Sequence, residues 1–213
     1  MKLTKKIINR MIWIIFPLLS WGAPYKEYVT QKKIFPPEIA QLGISLLDHL
    51  EYDIPRHEIP DAQNASTDPH YKNDRYRKCI QLKEHAPVFI QFINNKIGYG
   101  VFADAPITAG QFIGEYTGTV QKINFSKKSG DFDYAWGFMR SGKLVINAKK
   151  AGNFTRFINH GNNPNVKMIY VACNNRWHLA YVAIKDIKKG EQLLANYGPT
   201  YWNTRNRIPT QLI

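Results

Sequence analysis

Arg156-Phe157-Ile158-Asn159-His160-Gly161-Asn162-Asn163-Pro164-Asn165 is the least ordinary stretch of this 213-residue chain. An apolar pair, Phe157-Ile158, leads into a cluster whose side chains carry amide or imidazole groups: Asn159, His160, Asn162, Asn163 and Asn165. Amides both donate and accept, so such a cluster suits recognition of a polar heterocycle or an amino-acid moiety. Asn, Gly and Pro are also turn formers, and a long surface turn explains the same residues. His160 has no Cys or carboxylate beside it, which argues against a metal-ligand role.

Outward from this stretch, from Pro87 onward, short runs rich in Val, Ile, Phe and Tyr recur. They are Val88–Ile93, Tyr99–Ala103, Gln111–Val120, Tyr134–Met139, Leu144–Ala148, Val166–Ala172, Trp177–Ile184 and Gln192–Ala195, with Gly, Asn or Pro in the gaps. The pattern predicts a mostly-β domain of small sheets and excludes a doubly wound cofactor domain built from βαβ units. An internal echo supports this: Ala103, Ile107 and Gly110 have the spacing of Ala183, Ile187 and Gly190. Each set reads as strand, apolar anchor, glycine turn, strand, and a chance match of three positions is the alternative.

Three further segments bear on chemistry. Gly98-Tyr99-Gly100 lets backbone approach a ligand closely, though a plain hairpin turn needs the same residues. Glu115-Tyr116-Thr117-Gly118 ends a run and reads equally as a core aromatic before a bend. Glu191-Gln192-Leu193-Leu194-Ala195-Asn196-Tyr197-Gly198 delivers Tyr197 to a Gly-Pro turn, and Tyr201 and Trp202 follow. These aromatics suit a ligand wall or an ordinary closure of the core.

The rest of the chain is less specific. Lys2, Lys5, Lys6 and Arg10 precede the apolar run Met11–Leu19, and Ser20-Trp21-Gly22-Ala23 follows. This predicts a signal peptide or export leader over residues 1–22, the run being short for a membrane span and broken by Pro17. Residues 23–86 read as an N-terminal extension. It holds an amphipathic helix over Glu38–Glu51, started by Pro37 and carrying Ile39, Leu42, Leu46, Leu47 and Leu50, and then a loop over Tyr52–Asp74. The net charge of +13 fits attraction to an acidic partner such as nucleic acid, or simply a basic soluble protein. Cys79 and Cys173 are too few for a four-thiolate zinc site, and no structural metal is expected.

Taken together and in this order, the four segments resemble the SET domain family. Gly98-x-Gly100 is similar to its first glycine motif and Tyr116-x-Gly118 to its second. Arg156–Asn165 resembles its Arg-Phe-Ile-Asn-His-Ser/Cys-x-x-Pro-Asn signature, and Glu191–Gly198 its terminal Glu-x-Leu-x-x-x-Tyr-Gly motif. The likeness runs from Pro87 to Trp202, giving a SET domain over 87–202 and a tail over 203–213. Gly161 departs from the signature, Ala195-Asn196 stand where many members have Tyr-Asp, and the flanking cysteine-rich zinc modules are absent.

The resemblance implies a SET-type β-clip fold of several small sheets with a knot-like C-terminal motif, beside the helical extension. It implies a protein-lysine N-methyltransferase that uses S-adenosylmethionine and acts on histone or another host protein. By the same resemblance Gly98, Tyr99, Gly100, Arg156, Asn159 and His160 contact the cofactor, and Tyr201 or Trp202 stacks on its adenine. Tyr197 becomes the active-site tyrosine. Apart from the resemblance, Tyr134, Trp136 and Phe138 alternate on a predicted strand and share one face; that face lines either the lysine channel, with Tyr134 as the candidate wall, or the core. A leader joined to a compact core is similar to SET proteins of intracellular bacteria exported towards host cells. The competing reading is a catalytically inactive SET fold that binds nucleosome or nucleic acid through its basic surface.

Overall fold

In the computed structural model, which describes residues 34–63, 71, 73–123, 133–138 and 143–203, the apolar runs become short strands in small sheets. Chain order begins β1 (Ser45–Leu46), β2 (Leu50–Asp53), helix α1 (Asp74–Gln81), β3 (Val88–Asn94), β4 (Gly98–Ala103), β5 (Phe112–Glu115) and β6 (Gly118–Lys122). It continues with β7 (Ala135–Phe138), β8 (Leu144–Asn147), β9 (Ala151–Gly152), β10 (Asn159–His160), β11 (Val166–Cys173), β12 (Arg176–Ala183), β13 (Leu194–Ala195) and helix α2 (Pro199–Asn203). One sheet runs β10-β13-β11-β12-β5 and a second β2-β6-β8-β7; the pairs β3-β4 and β1-β9 stand apart. The mostly-β expectation holds. The leader over 1–22 and the tail from 204 onward lie outside the described residues.

The internal echo is physical. Ile107 and Ile187 exchange both backbone hydrogen bonds, at 2.9 and 2.8 Å. The Gly110 N–H donates to the Ala183 carbonyl at 2.9 Å, and the Gly190 N–H donates to the Ala103 carbonyl at 2.7 Å. Each glycine has φ near the left-handed region, +79° and +80°, where a side chain would strain the turn. The two units therefore clasp each other about a local two-fold relation, with both isoleucines buried. That clasp carries β13 back to β10 and β11, which it joins in parallel through Asn159↔Leu194 and Val166↔Ala195.

Alternation along the paired β11 and β12 serves two clusters. Trp177, Leu179, Tyr181 and Ala183 enter the main core with Ile107, Ile146 and Ile187. The opposite face, with Val171, Cys173 and Ala180, packs against Cys79 and Ile80 of α1. Both thiols are free and buried, and burial pushes that of Cys79 up to about 11.

Three sequence expectations need correction. The helix over Glu38–Glu51 does not form. A 3-10 turn spans Pro37–Leu42 and stops at Gly43, which has φ +63°. Beyond it Leu46 lies in β1, Leu50 in β2 and Leu47 between them: β1 pairs in parallel with β9, and β2 in parallel with β6. The strand β9 and the edge of β6 offered these residues backbone partners, and that outweighed their helical spacing. The loop over Tyr52–Asp74 is not wholly irregular, since β2 reaches Asp53 and a 3-10 turn covers Arg56–Glu58. At its end α1 starts, with Asn73 accepting from the Tyr76 N–H at 3.1 Å. The run Gln111–Val120 is two strands broken at Tyr116-Thr117, where the Thr117 hydroxyl donates to the Leu47 carbonyl at 2.6 Å. Gly118 restarts it because a Cβ there would lie 2.7 Å from the Asn147 carbonyl oxygen.

Candidate active site

The decisive stretch begins in a 3-10 turn over Phe154–Phe157, capped by Asn153, whose side chain accepts from the Thr155 N–H at 3.1 Å. The chain then extends into β10, where two side chains reach in different directions. The Asn159 amide donates to the Tyr99 carbonyl at 2.9 Å. His160 Nδ1 accepts from the Tyr197 backbone N–H at 3.2 Å. The Tyr197 hydroxyl returns to the same stretch and donates to the Ile158 carbonyl at 2.7 Å. The Gly98–Gly100 start of β4, Asn159-His160 and Tyr197 are therefore one place, joined through Tyr99 and assembled from β4, β10 and the segment after β13.

Aromatic rings enclose it. Tyr197 meets Trp136 at 5.8 Å, His160 at 5.5 Å and Tyr201 at 4.6 Å between centroids, all at steep angles. Trp202 lies nearly parallel to Tyr197 at 6.2 Å and edge-on to His160 at 4.9 Å. Behind Trp136 stand Tyr116 and Tyr181, both fully buried. The Tyr116 hydroxyl donates to the Tyr134 carbonyl at 2.6 Å. Burial holds the Tyr116 and Tyr181 phenols well above their ordinary value, so neither serves as a base near neutrality. His160 is displaced downward from 6.5, also chiefly by burial. Its ring is neutral at pH 7, and with Nδ1 accepting, its proton sits on Nε2.

Among the described residues, three buried nitrogens in this neighbourhood have no hydrogen-bond partner: His160 Nε2, Gln192 Nε2 and Trp202 Nε1. Each is a donor, and an unanswered buried donor costs about 1–3 kcal/mol. Gly100 adds a steric feature, since a Cβ there would fall 2.6 Å from Gln192 Nε2 and 3.2 Å from Asn159 Nδ2.

The structure brings together Gly98, Tyr99, Gly100, Asn159, His160, Tyr197, Tyr201 and Trp202. Arg156 and Tyr134 sit to one side. The buried guanidinium of Arg156 donates to the Ala148 and Lys149 carbonyls, at 2.7 and 3.2 Å, and lies 3.9 Å over the Tyr134 ring. From the alternating Tyr134, Trp136 and Phe138, Trp136 is the ring that touches Tyr197. Residues that sequence reasoning did not select are Trp136, Tyr181 and Gln192. Tyr181 gave no signal, because it reads as an ordinary strand residue, and Gln192 stands at an unspecified position of the Glu191–Gly198 motif. Gly161, the departure from the signature, packs under Leu194, and a Cβ there would come within 2.8 Å of it. Among the described residues no cluster of His, Cys, Asp and Glu is arranged to hold a metal, and no helix is long and apolar enough to cross a membrane.

Comparison with known proteins gives this geometry a family. The SET domain family matches over residues 98–198. The chain is 35% identical over 124 residues to the histone-lysine N-methyltransferase EZH2 of Chaetomium thermophilum, covering 52% of this chain and 8% of that protein. It is 32% identical over 121 residues to the N-lysine methyltransferase KMT5A-A of Danio rerio, covering 52% of this chain and 35% of that protein. The chain thus spans well under two thirds of these relatives. A solved structure of ctPRC2, autoinhibited and bound to S-adenosylmethionine, superposes with TM-score 0.51 at 28% identity, covering 60% of this chain and 17% of that one. ATXR5 in complex with a histone H3.1 peptide shares the fold at TM-score 0.59 and 24% identity, covering 82% and 90% of the two chains. With the signature stretch, the glycine turn and the terminal tyrosine meeting at one point, the chain belongs to the SET-domain family, whose named relatives are lysine methyltransferases.

Proposed function

We propose that this chain is an S-adenosylmethionine-dependent protein-lysine N-methyltransferase. The observation that carries the proposal is the Tyr197 hydroxyl fixed to the Ile158 carbonyl, one residue from Asn159-His160, with Asn159 tied to the glycine turn. SET methyltransferases as a class use S-adenosylmethionine. The residues here fit that molecule: it is rich in acceptors, and the neighbourhood holds three buried donors without acceptors among the described residues. Asn159, His160, Trp202 and the Gly98–Gly100 turn would hold it. When bound it supplies an electrophilic methyl group on a sulfonium.

The chain's own contribution is alignment and exclusion of water. With its proton directed at Ile158, the Tyr197 oxygen presents lone pairs to an incoming amine and orients its nitrogen. A lysine amine must arrive neutral, against an ordinary pKa of about 10.4. The rings of Tyr116, Trp136, Tyr181 and Tyr197 disfavour its charged form by desolvation. Tyr116 and Tyr181 remain protonated, so no phenolate is required of them.

Histone is the substrate class suggested by the relatives' names, and export towards a host cell is suggested by the leader. Incubation with labelled S-adenosylmethionine and core histones, read by mass spectrometry, tests activity. Methyl-lysine is expected, and a wild-type chain that fails to bind the cofactor in calorimetry refutes the enzyme reading. A mature N-terminus at or near Ala23 in exported material tests the leader.

A further inference from the structure

We infer that Gln192 is a cofactor-binding residue whose side-chain amide donates to the carboxylate at the methionine end of S-adenosylmethionine, beside Asn159 and the Gly98–Gly100 turn. The inference rests on the functional reading above and adds a residue to it. Three observations carry it. First, this amide lies against β4 beside Asn159: a Cβ on Gly100 would fall 2.6 Å from Gln192 Nε2, 2.7 Å from Ile93 Cδ1 and 3.2 Å from Asn159 Nδ2. Gly100, unlike Gly98, does not have a positive φ.

Second, the Gln192 backbone is fixed on every side. Its carbonyl accepts from the Asn165 amide at 2.8 Å, it bridges to Phe102, and the next residue, Leu193, is fully buried and donates to the Val101 carbonyl at 2.8 Å. In that setting Nε2 is buried and, among the described residues, has no hydrogen-bond partner. An apolar residue of similar size would fill the same space without that cost. The terminal amide torsion of glutamine is soft, so a modest rotation aims the N–H at a ligand lying along the turn.

Third, the two ends of the site differ in chemistry. Flat rings gather at His160, Tyr197 and Trp202, which suits a heterocycle. Around Gly100 the side-chain donors are the amides of Asn159 and Gln192. An ionised carboxylate is the acceptor that gains most from neutral N–H donors in a site closed to water.

The test is calorimetry on the full chain with S-adenosylmethionine and with its decarboxylated form, which lacks only the carboxylate. Gln192→Met is expected to weaken S-adenosylmethionine about 10-fold and the decarboxylated form less than about 2-fold, the size of one charge-assisted hydrogen bond. Gln192→Glu keeps the shape and sets an anion against the carboxylate, so it is expected to weaken S-adenosylmethionine further while sparing the decarboxylated ligand. If Gln192→Met gives no cooperative melt, the Gln192→Glu result decides. Equal losses for both ligands, or none for either, overturn the inference while leaving the enzyme reading intact. A wild-type chain that binds neither ligand overturns both.

Discussion

Tyr197 and His160 show how single residues tie the site together. The tyrosine touches the signature stretch twice, through its hydroxyl to Ile158 and its backbone N–H to His160. Tyr197→Phe keeps the ring contacts and removes one hydrogen bond. It should lower stability by about 1 kcal/mol and methyl transfer at least about 10-fold, the loss of one orienting contact in the transition state. Calorimetry should find cofactor affinity little changed. His160 sets a pH dependence. Its folded-state pKa lies below 6.5, so both states are neutral above that value and stability is at its full level. As pH falls below 6.5 the unfolded chain takes the proton first, and stability declines until the folded ring also titrates. Melting temperature should therefore fall between pH 7 and 5 more steeply in the wild type than in His160→Asn. Parallel slopes would show that the imidazole is not the group responsible.

At the scale of elements, the glycine turns and strand contacts make separable predictions. Gly190→Ala forces a side chain into a φ of +80° and should cost about 1–2 kcal/mol. Gly118→Ala meets the Asn147 backbone at 2.7 Å, where β6 and β8 pair, and should cost more, because backbone cannot step aside. Gly137→Ala on β7 meets open space at an ordinary φ and should stabilise by about 0.5 kcal/mol through the unfolded chain. Urea denaturation of the three variants ranks them, and a neutral Gly190→Ala would argue against the two-fold clasp as a source of stability. The N-terminal strands teach a related lesson. Leu46, Leu47 and Leu50 have helical spacing, yet each found a role in β1, β2 or the bend between them once β9 and β6 offered edges.

Across the whole molecule, the site draws on elements that belong to separate sheets: β4 from the β3-β4 pair, β10 from the five-stranded sheet, and α2 beyond β13. A ligand that bridges them binds only the assembled fold. S-adenosylmethionine at 100 times its Kd should thus stabilise the chain by about 2.7 kcal/mol, visible as a single cooperative shift in melting. A biphasic melt, with the N-terminal strands unaffected, would mean that the extension folds apart from the core. Since β2 pairs with β6 and Ile39 and Leu50 enter the main core, one transition is expected.

The sequence by itself determined the texture of short strands, the place of the signature Arg156–Asn165, the glycine turns and Tyr197. These are local facts, set by alternation, by residues that tolerate unusual backbone angles, and by motif order. The repeat that sets Ala103, Ile107 and Gly110 against Ala183, Ile187 and Gly190 was legible too, because a repeated spacing leaves a mark in one dimension; that Ile107 pairs with Ile187 was not. Only the tertiary structure decided that Trp136 and not Tyr134 meets Tyr197, that Arg156 braces the Ala148 and Lys149 carbonyls, and that Gln192 stands in the room Gly100 leaves. Such contacts join residues tens of positions apart through the clasp that returns β13 to β10. Spacing along a chain carries no record of which distant neighbour a buried side chain will find.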